Sequence, residues 1–250
     1  VQFFVDLENG DVIQATTAGA FSSASGSSEN YGNGWYRFSV TFTTSTETAI
    51  TARIYSIDSV ATTGDGTSGV YIWGAQIEQG SYATSYIPTN GSAVTRSAET
   101  ANGAGDASTF NDSEGVLYLE TSALSNDLSE RRFSLSDGTS SNVVRVGYTS
   151  VSNRIIAVVY NGSNQTVMTY TSPDITQNSK IAVKYKANDF ALWVDGVERN
   201  ADANGSVFTA NTLNSLSFNV GGASHFYSET KDVRVYNIAL TDAELQALTT

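Results

Sequence analysis

Apolar and polar positions alternate with a period of two along most of the chain. Tyr36, Phe38, Val40 and Phe42 alternate with Arg37, Ser39 and Thr41, and Ile181, Val183 and Tyr185 alternate with Ala182, Lys184 and Lys186. That is the pattern of strands with one face on a core and the other on solvent. Similar β-rich runs span Val1 to Leu7, Thr48 to Ile57, Val70 to Ile77, Val116 to Thr121, Arg131 to Leu135 and Val143 to Tyr148. They continue at Ile155 to Tyr160, Thr166 to Tyr170, Phe190 to Val194, Leu213 to Val220 and Lys231 to Tyr236. Turn dipeptides separate them: Asn9-Gly10, Asn33-Gly34, Asp137-Gly138, Asn161-Gly162 and Asp195-Gly196 supply residues that tolerate positive φ. Asp195-Gly196 stands between Ala191 to Val194 and Val197 to Arg199 as a two-residue hairpin loop does. Thr241-Asp242-Ala243-Glu244 reads as a capping box, with Leu240 and Leu245 at the staple positions, and predicts one short helix over about 242–248. The pattern as a whole predicts an all-β chain built of meanders.

Between Ser85 and Asp112 the chain passes through Tyr86-Ile87-Pro88-Thr89-Asn90-Gly91 into a stretch of Ala, Ser, Thr, Asn and Gly with almost no large apolar side chain. A strand there would bury little, so residues 97–112 are expected to link a domain over 1–96 to another over 113–250. The second has the length of a complete β-sandwich. The first has only about five strand candidates and starts inside one, so it is expected to be a partial jelly roll whose open edge is covered by upstream strands or by a neighbouring subunit.

Composition narrows the chemistry. Thirteen Lys and Arg against 25 Asp and Glu leave a net charge of −12 across 250 residues. The cations are not clustered, which argues against a nucleic-acid partner. No Cys excludes disulfides and zinc-thiolate sites, and a single His disfavours serine triads and most zinc enzymes. No run of 18 apolar residues signals membrane insertion. Hydrophobic content of 40% is ample for a core. The chain opens at Val1 and is read as a fragment of a longer protein.

Two segments carry resemblances. Asn33-Gly34-Trp35-Tyr36-Arg37-Phe38-Ser39-Val40-Thr41-Phe42, with Val70-Tyr71-Ile72-Trp73-Gly74-Ala75-Gln76-Ile77-Glu78-Gln79-Gly80 and Ser85-Tyr86-Ile87-Pro88-Thr89, resembles a module common in bacteriophage tail and fibre proteins. It is also similar in strand pattern to jelly-roll carbohydrate-binding domains. Lys180 to Tyr185, Phe190 to Val197 and Lys231 to Leu245 resemble the laminin G-like, concanavalin A-like lectin superfamily over 113–250. That resemblance implies two antiparallel sheets packed face to face with a short closing helix, a scaffold that serves lectins, hydrolases, lyases and structural modules alike.

Of enzyme chemistry little is present. The acidic strand of the superfamily's hydrolases has no counterpart, and Asp6-Leu7-Glu8 runs into Asn9-Gly10 as a strand end does. The lyases' Gln and His strand is missing too, so the chain is read as non-enzymatic. Candidate ligand-binding residues are Trp35, Arg131, Tyr148, Trp193, His225 and Tyr227. Trp35 is out of phase with Tyr36 and Phe38 and is expected to be exposed, whereas Trp73 is expected in the core. Trp193 alternates with Leu192 and Val194 and points either to solvent or between the sheets. Exposed tryptophan rings stack on pyranose faces. Arg131-Arg132 and Tyr148 are read as an exposed strand face able to bond sugar hydroxyls or carboxylates, and His225 lies in a Gly-rich loop beside Tyr227. No cofactor is required. Calcium, common in lectin-like sandwiches, is not indicated, since Asp58, Asp65, Asp106 and Asp112 form no dense acidic loop. Five Asn-x-Ser/Thr sequons, at Asn90, Asn111, Asn161, Asn164 and Asn204, are discounted.

These readings converge on a non-enzymatic virion structural protein of a tailed phage: a tail fibre, spike or surface appendage, extracellular, that adheres to host surface glycans. Its expected partners are other virion subunits and host polysaccharide, as a homo-oligomer such as a trimer. The rivals are a capsid decoration or spacer protein with purely structural contacts, and a secreted carbohydrate-binding module or polysaccharide-active enzyme fragment.

Overall fold

A computed structural model describes residues 1–17, 19, 21–45, 51, 53, 67, 69–95 and 104–250. The chain divides into two compact units, 1–96 and 97–250. Most of the run expected at Thr48 to Ile57 lies outside the described residues.

The described part of the first unit contains two antiparallel hairpins. One joins β1 (Gln2–Val5) to β2 (Val12–Thr16), the other β3 (Phe21–Gly32) to β4 (Trp35–Thr44). At the second turn Asn33 and Gly34 take φ of 53° and 78°, the primed-turn geometry that suits strand twist. Phe3 lies edge-on to Phe38 at 6.5 Å and crosses Gly26, where a Cβ would meet its ring. The apolar side chains of these hairpins are at most half-buried. The segment expected to form a strand over Val70 to Ile77 pairs with no other among the described residues. Side chains replace the ladder: Ile87 N donates to Gln76 Oε1 (2.9 Å) and Thr84 N to Glu78 Oε1 (2.6 Å). Arg37 donates to the Thr84 carbonyl. Trp73, expected in a core, is 73% exposed and packs at a tilt against Tyr86 at 4.7 Å, because no second layer covers this segment among the described residues.

The second unit is a sandwich of two five-stranded antiparallel sheets. Its strands are β5 (Glu114–Ala123), β6 (Arg131–Ser136), β7 (Asn142–Tyr148), β8 (Arg154–Asn161), β9 (Asn164–Thr171), β10 (Ser179–Lys186), β11 (Phe190–Val194), β12 (Val197–Asp202), β13 (Ser215–Ser217) and β14 (Ser228–Tyr236). One sheet runs β12-β11-β10-β5-β14, the other β13-β6-β7-β8-β9. Alternate residues meet between them: Leu117, Leu119, Ile181, Val183 and Leu192 from one, Phe133, Leu135, Val144, Val146, Ile155 and Val159 from the other. Burying each such side chain contributes roughly 1.5–3 kcal/mol. The run expected over Leu213 to Val220 keeps only three strand residues, since Asn219 turns the chain into a glycine loop. At the β11–β12 turn Asp195 and Gly196 have φ of 51° and 74°.

Two residues from the segment read as linker belong to this unit's packing. Phe110 joins the core, and the Asp112 carboxylate accepts from Asn211 N (2.7 Å), Thr212 N (3.2 Å) and Leu213 N (2.7 Å).

Helix α1 (Asp242–Thr249) closes the outer face of the β12–β14 sheet. Its capping box is complete: Thr241 Oγ1 accepts from Glu244 N, and Glu244 Oε2 from Thr241 N at 2.8 Å. Such a cap stabilises a helix by about 1 kcal/mol. Leu245 packs with Val116, Tyr118, Ala182, Ala191 and Trp193 in a second, smaller core. Among the described residues no helix is long and apolar enough to cross a membrane.

Candidate functional site

The six residues singled out by sequence divide into three places. Trp35 begins β4 in the first unit and is 47% exposed, as expected. Trp193 is buried, yet it lies neither in solvent nor between the sheets. It fills the layer under α1, a third option that strand alternation alone does not distinguish. The other four gather at one end of the sandwich.

Arg131 and Tyr148 face each other across β6 and β7 and are both buried, which corrects the expectation of an exposed face. Arg131 shares its strand face with Phe133 and Leu135, so it points inward. There Nη2 pairs with Asp127 Oδ2 at 2.6 Å and Nη1 donates to the Ser125 carbonyl. The Tyr148 ring stacks on Phe226 at 5.9 Å. Burial pushes its phenol up to about 12, against a hydrogen bond with Thr121 and the Arg131 charge, which pull it down. These two residues hold the end of the sandwich together. His225 is half-buried and Tyr227 is 48% exposed, their ring centroids 5.9 Å apart. They flank Phe226, whose burial pins the loop to the core.

Because Phe133, Val146 and Ile155 point inward, Arg132, Ser134, Arg145, Gly147, Arg154 and Ile156 lie on the opposite face of the β6–β9 sheet. Helix α1 covers the other sheet, and the loop after β13 crosses this one. Arg132 N donates to the Ser224 carbonyl (2.8 Å) and Ser134 Oγ to that of Asn219 (2.5 Å). Gly221, Gly222 and Ser224 give the loop its tight course, with φ of 54°, 79° and 52°. Arg132 is buried, with Nη2 3.3 Å from Glu130. Burial holds its guanidinium below the ordinary value, with Glu130 opposing and the like charge of Arg145 adding to the fall. Arg145 and Arg154 are half-buried, and their Nε atoms have no hydrogen-bond partner. Sequence reading passed over both. The available signal was Arg145 itself, a cation inside the apolar run Val143-Val144-Arg145-Val146.

The carboxylates serve backbone geometry. Asp106 accepts from Ser108 and Thr109, Asp137 from Thr139, and Asp174 from Thr176; these hydrogen bonds hold all three below the usual carboxylate range, for Asp137 against the opposing effect of burial. Of the calcium candidates, Asp58 and Asp65 lie outside the described residues, while Asp106 and Asp112 are occupied as above. Among the described residues no three His, Cys, Asp or Glu side chains come together to hold a metal ion.

A family model described as the concanavalin A-like lectin/glucanases superfamily matches residues 121–246. No curated protein matches the chain in sequence. Among solved structures, the chain is similar to the Ruminococcus gnavus IT-sialidase CBM40 bound to α2,3-sialyllactose, at 14% identity and a TM-score of 0.48. That match covers 61% of this chain and 97% of the other. It is also similar to the SAP-like pentraxin of Limulus polyphemus, at 12% identity and 0.44, covering 56% and 70%. A third likeness is to domain 4 of the Geobacillus stearothermophilus arabinanase AbnA in complex with arabinotriose, at 13% and 0.42, covering 62% and 82%.

Proposed function

The chain belongs to the concanavalin A-like lectin/glucanase superfamily, and from that premise we propose that its second unit binds glycans without cleaving them. The observation that carries this reading is the outer face of the β6–β9 sheet, where the half-buried Arg145 and Arg154 share one side and the loop bearing the half-exposed Tyr227 crosses the margin. A half-exposed tyrosine ring covers the apolar face of a sugar, and guanidinium and hydroxyl groups bind its oxygens. Hydrolysis needs two free carboxylates facing one bond, whereas Asp106, Asp112, Asp137 and Asp174 are engaged in holding turns. Binding of the intact chain to host cells and to their purified surface polysaccharide tests the reading. Tyr227→Ala is expected to weaken it about tenfold, the effect of roughly 1.4 kcal/mol of lost stacking. Polysaccharide turnover, or an unchanged affinity in the variant, would overturn it.

The setting we propose is an appendage of a tailed-phage virion, displayed extracellularly as a homo-oligomer such as a trimer. What supports an assembly is the first unit: Ile13, Tyr71, Ile72, Trp73 and Ile77 are each more than half exposed, an apolar surface larger than a lone domain ordinarily leaves in water. The solution mass of the chain is expected to be a multiple of 26.5 kDa. A monomer at high concentration would set the assembly aside.

A further inference from the structure

Three arginines share the outer face of the β6–β9 sheet, and among the described residues a single carboxylate answers them. Glu130, itself half-exposed, reaches Arg132 at 3.3 Å. Neither Arg145 nor Arg154 has an ion pair or a side-chain hydrogen bond among the described residues, and the Nε of each is out of water with no acceptor. A buried donor left unmade is costly, more so when charged. The strand register places the three around Gly147. Gly147 lies opposite Arg132 on β6 and opposite Ile156 on β8. Arg145 is two residues from it on the same strand face, and Arg154 two residues from Ile156. No side chain fits at that position, because a Cβ at Gly147 would stand 1.9 Å from the Arg131 carbonyl oxygen. In a chain of net charge −12, such a patch is not an average property of the surface. Like charges gathered this way, with one exposed partner, favour an anion that accepts from planar guanidinium forks.

We propose that this sheet face binds an anionic group, a carboxylate or sulfate, carried by a saccharide, so that the glycan it recognises is acidic. The inference rests on reading the face as glycan-binding, and it names the ligand class. Arg145 and Arg154 take the anion, Arg132 adds its field from beneath the loop, and Tyr227 lies at the margin for the neighbouring sugar.

The test uses the full chain and follows the NMR signals of the arginine Nε–H groups. Sodium sulfate is expected to move the Arg145 and Arg154 signals saturably, while sodium chloride at matched ionic strength does not. A uronate-containing or sulfated oligosaccharide is expected to bind at least about tenfold tighter than a neutral one of equal length. Which of the two binds identifies the anion. Arg145→Gln is expected to erase that preference and leave the thermal midpoint near wild type; Arg154→Gln repeats the test should the first variant fold poorly. Signals that respond to sulfate as they do to chloride overturn the proposal. A neutral oligosaccharide bound as tightly as an acidic one, with Arg145→Gln indifferent, overturns it and spares the broader glycan reading. A sulfate response with no oligosaccharide bound overturns the glycan reading and, with it, the saccharide part of the inference.

Discussion

Phe133→Ala is expected to lower the stability of the second unit by about 3–5 kcal/mol. Phe133 is fully buried on the inward face of β6, edge-on to Phe218 at 4.9 Å and to Phe226 at 6.0 Å. It also forms part of the wall of an apolar cleft of about 420 Å³ between β13 and β14, lined further by Phe110, Leu216, Phe218, Val233 and Val235. Truncation enlarges a space that these residues already fail to fill, so collapse recovers little of the lost contact. Phe226 loses one of its aromatic neighbours, and the loop carrying His225 and Tyr227 loosens with it. Urea midpoints of wild type, Phe133→Leu and Phe133→Ala check this, with the leucine variant intermediate. A loss below about 1 kcal/mol for alanine would show that the cleft closes.

The second large effect is alkaline. A tyrosine in the unfolded chain ionises near 10, whereas Tyr148 in the fold does so at about 12, chiefly because burial opposes the phenolate. Below pH 10 both states hold the proton and stability does not depend on it. Between about 10 and 12 the unfolded state releases the proton and the folded state keeps it, so stability falls as pH rises. Two units correspond to about 3 kcal/mol from Tyr148. Tyr185, whose hydroxyl donates to the Asn111 carbonyl, is raised further by burial and then by the Asp112 charge, and it acts in the same direction. Unfolding free energies measured at the two ends of this window, for wild type and Tyr148→Phe, check the expectation. Equal wild-type stability at both ends would sink it.

Local rules carried most of the second unit. Asp195-Gly196 and the Thr241 to Glu244 box are short-range signals, and the structure realises both. Strand alternation likewise put Ile181, Val183 and Tyr185 on one face, and all three lie in the core. It did not reveal which outward faces are covered. Trp193, read as pointing either to solvent or between the sheets, lies with Tyr118 under α1, and covering is a tertiary event. Arg131 misled for a related reason: its phase pointed inward, but its charge outweighed its phase in the reading, and the buried pair with Asp127 resolves the conflict. In the first unit β3 escaped notice because FSSASGSSENYG is nearly free of apolar residues and pairs chiefly through its backbone, with Phe21 set edge-on against Phe42 at one end. The run Val70 to Ile77 misled in the opposite direction, having strand composition and no strand partner. The arginine face was the least legible part. Arg132, Arg145 and Arg154 lie on three strands, and only the register brings them around Gly147.

The two sheets of the second unit also differ in the order in which they can come into existence. Strands β6 to β9 pair each with the next in sequence, so this meander completes soon after it is synthesised. Strand β5 is made earlier than any of them and must wait: Val116 finds Lys184 on one side and Tyr236 on the other. Until β14 emerges, one edge of a strand bearing Val116, Leu117, Tyr118 and Leu119 is open to any other chain nearby. Closure over such sequence separations belongs to the millisecond-to-second class of folding. The arginine-bearing meander thus precedes the sheet it packs against, and β5 is the segment most in need of shielding during synthesis.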